Sequence, residues 1–142
     1  MNKLFITLIF SLLSFVANAQ DSTTFKGYLY NEEYQVYIQM NFYSNDILVP
    51  GQEIFGKLPG FFGANRDSRK WLFTKATITD PNTAMLEITN DYGSEDLTAT
   101  LKKNDNGTFT LTQNDGSALK IAVNRKWVKI PKNTVFTKVN NR

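Results

Sequence analysis

The sequence predicts an all-β protein: an antiparallel meander of about nine short strands closed into a barrel, with a β-sandwich as the alternative. Three observations lead there. From Phe25 onward apolar and polar residues alternate with period two, the pattern of a strand with one buried face. Asn-, Asp- and Gly-rich clusters interrupt the alternation at hairpin spacing. No window carries the i, i+3, i+4 stripe of an amphipathic helix. Short connections make consecutive strands antiparallel neighbours, and closing such a meander removes its exposed edges.

Taken in order, strands are expected at about 24–30, 34–43, 47–57, 70–78, 83–89, 95–102, 107–112, 117–124 and 127–138, the last divided at Pro131 because proline cannot donate to a ladder. In the second, Tyr34, Val36, Ile38, Met40 and Phe42 share the core face, and Gln35, Tyr37, Gln39, Asn41 and Tyr43 the other. Ala84, Leu86 and Ile88 oppose Met85, Glu87 and Thr89; Leu97, Ala99 and Leu101 oppose Thr98, Thr100 and Lys102. Phe109 and Leu111, then Leu119, Ile121 and Val123, continue the inward set. Turns are expected at Asp80-Pro81-Asn82, Asn90 to Ser94, Asn104 to Gly107 and Asn114 to Ser117.

One connection breaks the rhythm. Residues 57–70 place Phe61-Phe62 between Gly60 and Gly63 and follow them with Arg66, Asp67, Arg69 and Lys70. The segment reads as a long irregular loop, and such loops in compact domains tend to be functional. The phenylalanines are expected either to anchor a partner, with the four charged residues as a rim, or to plug the barrel end.

Phe25-Lys26-Gly27, Tyr37 to Phe42, Gly51 to Lys57 and Thr83 to Glu87 together resemble small exported lipocalin-like β-barrel proteins of Gram-negative bacteria, over roughly Phe25 to Val123. The resemblance is one of strand and glycine spacing and implies a lipocalin-like barrel. It implies no catalytic residues, because that group is mostly without assigned activity. The chain lacks the Gly-x-Trp opening and the disulfides of true lipocalins.

The N-terminus adds a destination. Lys3, an apolar run from Leu4 to Val16 and Ala17-Asn18-Ala19 form the three regions of a cleaved secretory signal. Residues 1–19 are expected to be removed, leaving a single domain over 20–142 in the periplasm or secreted. No second apolar stretch reaches membrane-spanning length.

Composition narrows the chemistry. With no cysteine, stability after export rests on packing rather than disulfides, and with no histidine, Ser-His-Asp, Cys-His and histidine-ligated zinc chemistry are excluded. No phosphate-binding glycine loop or dinucleotide fingerprint is present. No cofactor or metal is expected. Charge is divided unevenly: residues 21–119 hold thirteen acids and eight bases, whereas Lys120, Arg125, Lys126, Lys129, Lys132, Lys138 and Arg142 face no acid in 120–142. These basic strands, with Trp127 and Phe136 among the cations, suit an anionic ligand such as an acidic glycan; otherwise they offset Glu32, Glu33, Glu95 and Asp96. Export disfavours nucleic acid.

The remaining features have plain structural readings. Thr98, Thr100, Thr108, Thr110 and Thr112 are ordinary solvent-face strand residues, and Asn106-Gly107-Thr108, though a glycosylation sequon, is a turn. Glu53 and Glu87 are the two carboxylates within expected strands; together they would permit glycoside hydrolysis, but Glu87 lies on the solvent face. The functional expectation is therefore a non-enzymatic exported module that binds an envelope protein or glycan through Phe61, Phe62, Arg66, Asp67, Arg69, Lys70 and Trp127. The alternatives are a carrier of a small apolar ligand inside the barrel and a carboxylate-based glycoside hydrolase.

Overall fold

A computed structural model describes residues 23–140, so residues 1–19, where the secretory signal is expected, and Arg142 lie outside the described residues. In chain order the elements are β1 (Lys26–Asn31), β2 (Val36–Asn41), β3 (Ile47–Leu48), the 3-10 turn η1 (Glu53–Phe55), β4 (Lys57–Leu58), β5 (Gly60–Ala64), β6 (Asp67–Asp80) and β7 (Thr83–Asn90). β8 (Asp96–Lys103), β9 (Phe109–Gly116), β10 (Lys120–Val123), β11 (Lys126–Lys129) and β12 (Asn133–Val139) complete the chain. Eight of them close an antiparallel barrel in the order β1-β12-β9-β8-β7-β6-β5-β2. Omitting two excursions, each barrel strand pairs with the next in sequence, so the expected meander is present. The excursions are the β3–η1–β4 segment and the β10–β11 hairpin, each holding its own two-stranded ribbon.

The inward face is the one the alternation marks. Ile38, Met40, Leu86, Leu101, Leu111 and Ile121 are all buried in one cluster with Phe25, Phe62, Phe73, Phe109 and Phe136. Burying each such side chain stabilises the fold by about 1.5–3 kcal/mol. Met40, Phe42, Leu86 and Phe109 belong to this cluster, so side chains fill the barrel interior. The β10–β11 hairpin closes one end: Leu119, Ile121 and Ile130 are buried in the same cluster, and Val123 and Val128 pack against it.

Hydrogen bonds fasten that end cap. Gln113 is buried at the point where the chain leaves and rejoins the barrel; its amide nitrogen donates to the carbonyls of Ile130 and Pro131, both at 3.1 Å. Its amide oxygen accepts from the Leu119 N–H at 2.8 Å. Asp67 accepts from the Ala122 N–H at 2.8 Å, and the Trp71 indole N–H donates to the Lys120 carbonyl at 3.2 Å. The hairpin turns through Asn124 and Arg125, both at positive φ (53° and 66°), the two-residue geometry that matches strand twist.

Three expectations need correction. The 57–70 segment is no irregular loop but β4, then the β5–β6 hairpin, with Phe61 and Phe62 inside β5. Gly60 and Gly63 are demanded by close approach within the sheet. A Cβ at Gly60 would collide with the Gln39 carbonyl, and one at Gly63 would meet the Tyr37 ring at 2.6 Å. The expected 47–57 strand is interrupted, because Pro50 and positive-φ Gly51 and Gly56 bracket a 3-10 turn. Asn114 to Ser117 is not a hairpin turn either. β9 continues to Gly116 and pairs with β8 across a register shift, and Gly116, at φ +102°, lies against the Asp96 carbonyl too closely for a side chain.

Candidate functional site

β5 sends its two adjacent phenylalanines to opposite faces. Phe62 points into the barrel core. Phe61 points outward, where Val49 and Leu72 bury it in a satellite cluster beside Tyr37, Ile47 and Leu58. The β3–η1–β4 excursion therefore acts as a flap covering Phe61. With exposures of 1% and 0%, neither ring is available as a surface anchor, which corrects that reading of the pair. Phe61 also borders a groove of about 890 Å³ on the outer wall, lined as well by the stacked Tyr28 and Tyr37 rings, Lys26 and Lys138.

The charged half of the segment divides as well. Arg66 is exposed on the β5–β6 turn and donates to the Tyr34 carbonyl at 3.3 Å. Asp67 turns inward; its carboxylate takes the Ala122 and Arg69 backbone N–H groups and so serves the end cap. Arg69 and Lys70 converge on Trp127, although 57 residues separate Lys70 from it in sequence. They line a cleft of about 290 Å³ formed by the start of β6, the β7–β8 turn and the β10–β11 hairpin. Three of the seven sequence-predicted residues thus meet in one place.

The cleft has an aromatic and a cationic component. Trp127 is 58% exposed, and Tyr92, also in the lining, is 79% exposed. The Arg69 guanidinium sits 4.8 Å and the Lys120 ammonium 4.9 Å from the Trp127 ring centre, within cation–π range. Lys120 also pairs with Glu95 at 3.2 Å. The floor is rigid. Asn90 accepts from the Ser94 and Glu95 N–H groups at 2.9 and 3.3 Å, and Asp91 accepts from the Lys70 N–H at 3.1 Å. The Gln52 side-chain amide, just before η1, donates to the same Asp91 oxygen at 3.4 Å.

Sequence reading missed Asn90, Asp91, Tyr92 and Ser94 as site residues. Their turn signature was visible, but which turn faces Trp127 depends on the end cap folding back over the barrel. The expected carboxylate pair does not assemble: Glu87 lines a shallow hollow with Thr74 and Asp96 that excludes Glu53, which lies on η1. Among the described residues no group of three or more acidic side chains is placed to hold a metal ion. No helix of the described residues is long and apolar enough to cross a membrane. Comparison with known proteins returns no matching family model, no matching curated protein and no matching solved structure.

Proposed function

We propose that this chain is an exported, non-enzymatic binding module of the bacterial envelope that engages a glycan at the Trp127 cleft. The carrying observation is Trp127 itself: a large ring, more than half exposed, under two cations in a cleft that exposed Tyr92 also lines. An indole face offers a sugar ring an apolar platform, and flanking amide, hydroxyl and charged groups supply hydrogen bonds at its edges. The cleft's volume of about 290 Å³ is at the small end of the range for ligand sites, a concave space that suits one or two sugar rings.

The alternatives have less support. A carrier needs an interior cavity, and the barrel interior is occupied by its own side chains. A hydrolase needs two carboxylates across one substrate, and Glu53 and Glu87 line no common hollow. Export rests on the signal pattern of residues 1–19 and on the resemblance of strand and glycine spacing to lipocalin-like exported proteins. The test is binding of the mature protein to immobilised envelope oligosaccharides, with Trp127→Ala as control. Loss of the ring should weaken binding by about tenfold, the equivalent of about 1.4 kcal/mol, without changing the fold. Equal binding by the two proteins would refute the assignment of the cleft.

A further inference from the structure

The outer face of the β10–β11 hairpin carries a charge arrangement that folding alone does not favour. Lys120 and Lys129 are direct cross-strand partners, and Ala122 pairs with Trp127 on the same face. Like charges placed directly opposite destabilise a strand pair. Arg69 adds a third cation from β6, lying over the Trp127 ring. The counter-charges at this end are committed. Glu95 serves Lys120, Asp91 in the cleft lining accepts from the Lys70 N–H and Gln52, and Asp67 spends its oxygens on backbone N–H groups and stands 3.9 Å from Arg69. Among the described residues Lys129 has no ion-pair partner and the Arg69 guanidinium makes no hydrogen bond. Two cations therefore lie over one exposed indole, with Lys129 across the strand pair from Lys120, and the Arg69 guanidinium, 3.9 Å from Asp67, makes no side-chain hydrogen bond among the described residues.

Resting on the glycan reading above, we infer that the ligand is an anionic saccharide, whose carboxylate or phosphate is received between Arg69, Lys120 and Lys129 while its ring lies against Trp127. The guanidinium is already oriented by the indole, so it can offer paired N–H donors to an oxyanion with little further ordering. The anion would relieve the Lys120–Lys129 repulsion that the free protein tolerates. Residues 120–142, with seven bases and no acid in that stretch, supply a longer-range attraction toward the same end of the chain.

The test titrates Trp127 fluorescence with trigalacturonate, its full methyl ester and maltotriose bearing one phosphate monoester, on wild type, Lys129→Thr and Arg69→Gln. The inference expects an acidic probe to bind at least about tenfold more tightly than the ester, with the difference shrinking as salt rises. Whichever acidic probe prevails tells carboxylate from phosphate. Each substitution should abolish most of the preference. Lys129→Thr should also raise the melting temperature of the free protein by about 1–4 °C, because the repulsive pair is gone. Equal affinity for acid and ester would overturn the inference and leave the glycan reading standing. Failure of all three probes to bind would overturn both. A Lys129→Thr variant that keeps the full acid preference would also overturn it.

Discussion

Replacing Phe62 by alanine is the most direct perturbation of the barrel. The ring is fully buried in the main cluster, on a strand whose partners at this level are Ile38 and Trp71. Walls on all sides leave little freedom to collapse, so the loss should fall near the top of the usual range for buried aromatics, about 5 kcal/mol. Phe61 is equally buried, but in a satellite of Val49 and Leu72 under a flap that can settle inward, so about 3 kcal/mol is expected. In a domain of this size each kcal/mol moves the melting temperature by about 4 °C. Phe62→Ala should therefore melt about 20 °C lower and Phe61→Ala about 12 °C lower. The two rings sit in different clusters, so their effects should nearly add, and about 8 kcal/mol is comparable with a whole domain's stability. The double variant should be largely unfolded at room temperature. Thermal melts by circular dichroism give the readout, and a drop below about 4 °C for Phe62→Ala would refute the placement of β5 in the barrel wall.

Other perturbations test separate parts of the fold. Gln113→Leu strands the Leu119 N–H and removes the donor to the Ile130 and Pro131 carbonyls. It should cost about 3 kcal/mol in urea unfolding, and an unchanged midpoint would mean that the cap is fastened elsewhere. Arg125→Gly relieves a positive φ in the β10–β11 turn and should stabilise the protein by about 0.5–1 kcal/mol; any loss in the same assay would contradict the turn geometry. Gly60→Ala forces a methyl group against the Gln39 carbonyl, so a melting temperature within 2 °C of wild type would contradict the β2–β5 register.

The barrel was legible because its signal is local. Alternation alone places Ile38, Met40, Leu86, Leu101 and Leu111 inward, and all five are buried. The errors at 57–70 and 114–117 share one cause: glycine marks both a turn and a place where strands approach closely, and only the neighbouring strand decides between them. Gly60, Gly63 and Gly116 all proved to be close approaches. The site was half legible for a related reason. Arg69, Lys70 and Trp127 declare themselves by residue type, but their meeting depends on the β10–β11 hairpin folding over the barrel end. That fold-back is encoded in the inward-facing Ile121, Val128 and Ile130, which in sequence look like any other strand residues. Phe61 and Phe62 misled because adjacent aromatics suggest exposure in a loop, whereas a strand with a covered outer face buries both.

The central claim is that the Trp127 cleft is where ligand binds, and the chain's two tryptophans make it measurable. Their indole N–H groups give two resolvable resonances in a proton–nitrogen correlation spectrum, and that of Trp71, a buried residue of the cleft lining, is tied to the Lys120 carbonyl. Titration with acidic oligosaccharide should move the Trp127 indole and the backbone signals of Arg69, Tyr92 and Lys120 together along one saturable curve. Saturable shifts confined to the Tyr28–Tyr37 groove, with the Trp127 indole unmoved, would contradict it.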